Sequence, residues 1–282
     1  MGDYIPHHAD IVLVGKLKTH EITIRQPKWL QQLHEVAGRG GNIVVDYTDH
    51  HLAITSPQSD FYREIAGIAN RFIVPSQAMA DILCTLVEAP VNVVEDKLEF
   101  GPLPPKLPEH YSNTVLWFGH GSNLKFLAHL IEHWPEPAID KSLLIVSGKG
   151  GDSLLRKYLS GKPVKIDLQY LEWGINTLLL AARRADAAVI PSSMDSYKKY
   201  ASNNRLVTSL TFGLPTVATT LPSYFEFKEC FADLGSATGE AVLANPKLGL
   251  NGVRTFQEHH MPRFSPHAIV SRWREAFIEC TR

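Results

Sequence analysis

The run Ser202-Asn203-Asn204-Arg205, with Lys198 and Lys199 just before it, puts cations where a helical pattern begins. The first turn of a helix presents unpaired N–H groups and the positive end of the dipole, so acidic residues normally stand there. Arg205 opposes that dipole, and the arrangement suits an anionic ligand such as a diphosphate. Ser202 is the expected N-cap. Two glycine-bearing turns follow apolar runs upstream: Gly119-His120-Gly121-Ser122-Asn123, with a helix expected from Ser122, and Ser147-Gly148-Lys149-Gly150. Glycine lets a ligand approach the backbone. Each turn also reads as an ordinary connection, and neither has the spacing of a dinucleotide or P-loop fingerprint. The expected phosphate-binding set is Gly121, Asn123, Ser147, Lys149, Lys198, Lys199, Ser202, Asn203, Asn204 and Arg205.

A second group, Asp46, Asp49, His50 and His51, lies at the end of the run NIVVDY. A carboxylate or imidazole there could take a proton from a hydroxyl, and the same residues read equally as a capping and turn cluster. Asp46 falls inside the run, so Asp49 and His50 are the better-placed catalytic candidates. The paired histidines 7–8, 50–51 and 259–260 are adjacent in sequence and offer no i, i+4 ligand pair. No metal and no cofactor is expected. Trp117, Trp134 and Trp273 sit in periodic segments and read as core; Trp173, at a strand–helix junction, is the exception.

These residues must be positioned by strands alternating with helices almost throughout. Strands are expected at ADIVLVG (9–15), NIVVDY (42–47), RFIVP (71–75), VNVV (91–94), TVLWFG (114–119), SLLIVSG, VKIDLQY, ADAAVIP and PTVAT, with helices between them. Ser76 should cap one helix, and Pro27 should open another over 26–41. Such alternation implies parallel sheets covered on both faces. The stretch 95–112 holds four prolines and reads as a linker region. The expected division is a Rossmann-like domain over 1–97, a Pro-rich linker over 98–112, a second Rossmann-like domain over 113–264 and a C-terminal helix over 265–282 that packs back on the first.

The chain has 282 residues, 44% hydrophobic and 20% charged, with a formal net charge of -1. That composition can bury a large core and carries no basic excess for nucleic acid. No apolar run reaches the ~20 residues of a membrane span, and no signal peptide is evident at the N-terminus. Cys84, Cys230 and Cys280 show neither disulfide nor metal spacing, so a cytoplasmic location is expected.

The segment DAAVIPSSMDSYKKYASNNRLVTSLTFGLPTVATTLPSYFEF (186–227) resembles the donor-binding segment of GT-B-type glycosyltransferases of the bacterial surface-polysaccharide type. VLWFGHGSNLKFL and LLIVSGKG resemble the first two strand–loop units of that domain. VVDYTDHHLA and FYREIAGIANRFIVPSQAMADIL resemble the later part of an acceptor domain. The resemblance spans roughly residues 9–230. It implies an α/β, GT-B-like fold: two Rossmann-like domains with parallel sheets facing across a cleft, the N-terminal one reduced. It further implies metal-independent transfer of a sugar from a nucleotide diphosphate donor to a saccharide or lipid-linked acceptor in surface-glycan assembly. The partners implied are a nucleotide sugar, a glycan or lipid-linked acceptor, and a peripheral membrane surface or protein, but no nucleic acid. The phosphate-binding set becomes the donor site, and Asp49 and His50 the acceptor-side catalytic candidates. Many retaining members carry a glutamate pair where this chain has Tyr200 and Thr208, and the first half is short. A non-catalytic module of the same fold, acting as partner of an active enzyme, is the alternative.

Overall fold

The computed structural model describes residues 5–6, 8–17, 19–106, 108–138, 140–195 and 198–280; His7, one of the paired histidines, lies outside them. In chain order the first elements are β1 (Ile11–Val14), α1 (Thr19–Gly38), β2 (Asn42–Asp46), α2 (Pro57–Ala66), β3 (Arg71–Val74), α3 (Gln77–Leu83) and β4 (Val91–Val93). Next come β5 (Thr114–Phe118), α4 (Leu124–Glu132), β6 (Ser142–Ser147), α5 (Gly151–Leu159), β7 (Asp167–Glu172), α6 (Ile175–Arg184) and β8 (Ala187–Ile190). The chain continues with α7 (Asn204–Thr211), β9 (Thr216–Ala218), β10 (Ala232–Asp233), α8 (Ala237–Ala244), α9 (Leu250–Thr255) and α10 (Pro266–Cys280). Two compact units result: Met1–Lys97 with Asp195–Asn203 and Phe264–Arg282, and Leu98–Met194 with Asn204–Arg263.

The first unit has a parallel four-stranded sheet in the order β1-β2-β3-β4. Strand periodicity sends Ile43 and Val45 to one face and Val44 to the other. On the first face they meet Trp29 and Leu33 of α1, Phe61 of α2 and Met79 of α3. On the second, Val44 and Ile73 are covered by Ile269, Trp273 and Ala276 of α10. Ser76 caps α3, its Oγ accepting from the Met79 N–H. Ser56 caps α2 in the same way, ahead of Pro57.

The second unit has a parallel six-stranded sheet in the order β10-β9-β8-β5-β6-β7. Val115, Trp117, Leu143 and Ile145 face α4, α5 and α8. Leu116, Phe118, Leu144 and Val146 face α6 and Phe212. Gly213 ends α7 at φ 72°, and a Cβ there would stand 2.7 Å from the carbonyl oxygens of Leu103 and Pro104. Only glycine accepts both constraints.

Several boundaries differ from the sequence expectation. Helix α1 begins at Thr19 and carries Pro27 inside; an internal proline forfeits local backbone pairing, while Trp29, Leu33 and Val36, all buried, anchor the helix. A single turn over Gly121–Asn123 precedes α4, and the His120 ring, not Ser122, accepts at its start. Helix α7 begins at Asn204, so Asn203 rather than Ser202 stands at the residue before it. The Pro-rich stretch packs on the second unit rather than running free. Lys106 Nζ lies 2.7 Å from Asp186, a carboxylate only 3% exposed, which also accepts from the N–H groups of Ser112 and Thr114. That burial of a charge demands such partners. The segment Asp195–Asn203, expected in the second domain, belongs with the first unit, where Tyr200 packs on the aromatic core.

Candidate functional site

In the second unit the chain runs outward from β5 through β6 to β7, then returns to β8 beside β5 and runs the other way. That reversal is a topological switch point, where α/β sheets bind ligands beyond the strands' carboxyl ends. Gly119, His120 and Gly121 follow β5, and Arg205 on the first turn of α7 follows β8. A Cβ placed on Gly119 would lie 3.6 Å from Arg205 Nη1. This Nη1 is buried and makes no hydrogen bond. Tyr224, wholly buried, senses the same cation: burial pushes its phenol up while Arg205 pulls it down. A buried, unsatisfied guanidinium nitrogen is costly, and an anionic group in this corner would satisfy it.

The remaining phosphate candidates in this unit take different parts. Ser147 is buried and donates from Oγ to the Gly119 carbonyl at 2.8 Å, so it shapes the turn. The Gly148 carbonyl accepts from Tyr170 Oη at 2.6 Å. Lys149 is exposed. The Asn123 N–H donates to the His120 carbonyl at 2.9 Å, and Gly121 is half-buried. Asn204 is exposed and its Oδ1 accepts from Thr208. Lys198, Lys199, Ser202 and Asn203 fall in the first unit. There the Lys199 ammonium lies 5.5 Å from the Tyr200 ring centroid. The backbone N–H groups of Lys198 and Lys199 both donate to Asp195, and Asn203 is buried.

The acceptor-side candidates also lie in the first unit. Asp49 is half-buried and pairs with Lys16 at 2.6 Å. His50 and His51 are buried, and burial lowers both imidazoles below the ordinary value. His50 Nδ1 is 3.3 Å from Tyr47 Oη, and its ring meets Tyr200 edge-on at 5.3 Å. His51 stacks on Tyr62 at 4.9 Å. Asp46, set aside in the sequence as part of the strand, is the perturbed carboxylate. Burial, then Asp96, push it up to about 6 against the pull of Lys16. No signal along the chain distinguishes it, because the shift comes from burial and from a carboxylate fifty residues away.

Sequence reasoning also passed over His129 and Glu132 on α4 and His133 at its C-terminal cap, whose ligand atoms lie within 4.8 Å of one another; Glu229, Cys230 and His260 form a second such group among the described residues. The H-x-x-E-H spacing was there to be read. Trp117 and Trp134 are core, as their periodicity implied, whereas Trp173 is 51% exposed. No helix among the described residues is long and apolar enough to cross a membrane.

No protein-family model and no curated protein matches this sequence. Solved structures do. TarM superposes with a TM-score of 0.70 at 14% identity, over 95% of this chain and 54% of the TarM chain. A TarM variant from S. aureus, in complex with fondaparinux, alpha-GlcNAc-glycerol and UDP, gives 0.66 at 13% identity over 85% and 51%. A trehalose-6-phosphate synthase studied for glycosyltransfer with retention gives 0.55 at 13% over 96% and 73%. The Gap123 glycosylation-associated complex of Streptococcus agalactiae gives 0.50 at 12% over 94% and 54%. The chain thus spans about half the length of the TarM chain. Its α/β fold, with two parallel sheets, is that of the GT-B glycosyltransferases, the resemblance read from the residues.

Proposed function

We propose that this chain is a glycosyltransferase that takes a sugar from a nucleotide diphosphate donor and passes it to a saccharide or lipid-linked acceptor in surface-glycan assembly. The observation that carries the reading is the buried Arg205 Nη1 without a partner at the switch point of the second sheet. A leaving diphosphate gains negative charge as the glycosidic bond breaks. A fixed guanidinium in a water-poor corner stabilises that charge without reorganising. Arg205, the N–H groups at the start of α7 and the exposed Lys149 would hold the phosphates, with Lys198 and Lys199 as further cations. No divalent ion is required at the phosphates on this reading. Asp49 and His50, with Asp46 added for its raised pKa, are the acceptor-side candidates for proton removal.

UDP is the first probe, since the TarM variant of this fold was solved with it. Titration of UDP into the wild type should show saturable binding. Arg205→Ala should weaken it by about 1.5–3 kcal/mol, the worth of a hydrogen bond to a charged group. Unchanged affinity in a folded Arg205→Ala variant would sink the assignment.

A second reading has its own support. The glutamate pair of many retaining members is replaced by Tyr200 and Thr208, and Tyr200 packs on the core of the first unit. The fold is also shared by a glycosylation-associated complex. On this reading the chain binds nucleotide and serves as partner to an active enzyme. Donor turnover separates the two, because both bind nucleotide.

A further inference from the structure

We infer that His129 and Glu132 of α4, with His133 just past its end, form a binding site for a divalent transition-metal ion of the zinc class beside the adjacent cavity. This site goes beyond the nucleotide chemistry and shares no residue with it. Residues four apart stand one above the other on a helix face, and two histidines so placed can bind one zinc ion. The two rings lie 4.6 Å apart between centroids, and Glu132 brings the third ligand atom within 4.8 Å of both. Ligands of a tetrahedral zinc ion at bonds of ~2.0–2.1 Å stand about 3.3 Å apart. The ligand atoms need to close by at most about 1.5 Å, and both histidines are exposed.

A second observation concerns the tautomer. His133 Nδ1 lies 2.9 Å from the backbone carbonyl of His129. A carbonyl only accepts, so Nδ1 carries the proton and Nε2 keeps its lone pair. Metal-binding histidines are commonly held this way, by a hydrogen bond from the ring nitrogen that does not bind the ion. Glu132 Oε2 lies 2.8 Å from Lys162 Nζ, so an ion bound here takes the place of that ammonium on the carboxylate. His129 and His133 also line a cavity of about 280 Å³, together with Phe126, Leu130, Ser192 and Glu240. Three protein ligands leave a fourth position for water or a small ligand. The group at Glu229, Cys230 and His260 is the weaker candidate. Its thiol is only 1% exposed, and the His260 ring is already held by Glu229 at 3.0 Å.

The test is calorimetric titration of zinc into chelator-treated, desalted protein, with cobalt absorbance as a second readout of coordination. One zinc ion per chain is expected, with a Kd in the micromolar range or below. His129→Ala and His133→Ala should each weaken binding at least about tenfold, Glu132→Gln should weaken it less, and His260→Ala should leave it unchanged. The substituted histidines are exposed, so the variants should keep the wild-type circular dichroism and UDP affinity. Absence of one-to-one binding, a loss below tenfold in both histidine variants, or a dependence on His260 instead would overturn the site.

Discussion

The first unit collects three titratable groups that burial moves in opposite directions. Asp46 rises from 3.8 to about 6. The unfolded chain then ionises before the native one, so this carboxyl favours folding below pH 4 and loses that contribution as pH climbs through 6. Asp46→Asn should therefore be more stable than wild type at pH 7–8, by about 1–3 kcal/mol on the worth of two pKa units. The gap should close below pH 4. Urea titrations at pH 4 and 7.5 measure it, and an equal gap at both would assign the effect to something other than ionisation. His50 and His51 act the other way. Their imidazoles are lowered by burial, so they favour folding above pH 6.5 and that contribution is lost as acid charges them. As for catalysis, Asp46→Asn, Asp49→Asn and His50→Ala should each leave UDP affinity near wild type. Loss of a proton acceptor should slow transfer by about 10²–10⁴-fold. Wild-type rates in all three would make the cluster structural.

Among elements, α7 has the most demanding ends. Its first turn carries Arg205, and its last is closed by Gly213 at φ 72° against two carbonyls. The contact ties α7 to the Pro-rich stretch, where the Leu103 N–H donates to Thr211 and the Gln257 amide donates to Leu103. Gly213→Ala adds a Cβ in the left-handed region, costing about 1–2 kcal/mol before any clash. The urea midpoint should fall by at least that equivalent, and UDP binding should weaken with it because Arg205 rides on the same helix. A midpoint equal to wild type would show that the turn relaxes freely. Helix α10 presents a different case, since it supplies one whole face of the first unit's core. Ile269, 7% exposed, leaves a cavity on truncation, and Ile269→Ala should cost about 2–5 kcal/mol in the thermal or urea unfolding of that unit.

For the whole molecule, the deciding measurements are turnover and its response to chelation. The phosphate site proposed here rests on a guanidinium and backbone N–H groups, so transfer from a nucleotide sugar should survive EDTA at the wild-type rate. Zinc bound at His129 and His133 should be stripped by the same treatment without loss of transfer. Activity that disappears with chelator and returns with magnesium or manganese would mean that a metal acts on the phosphates. Saturable UDP binding with no turnover under any acceptor would favour the partner reading.

The alternation of apolar runs and capped helices is a local property, and the chain spells it out. β2 to β6 and α3 lie where periodicity and Ser76 put them, and α10 falls within the helix expected over 265–282. The cationic start of α7 was legible for the same reason, since a charge at a helix terminus depends only on neighbouring residues. Other features depend on residues far apart in the chain. Pairing of β5 with β8 creates the switch point, and packing leaves Arg205 Nη1 buried beside Gly119 without a partner. Placement of Tyr200 on the first unit's core makes Lys198 and Lys199 part of that unit, whereas Arg205 belongs to the second. The raised Asp46 needs burial together with Asp96. Sequence spacing sets which residues share a helix face or a strand face, but burial and charge proximity belong to the folded chain, and these decide which polar groups are left to bind.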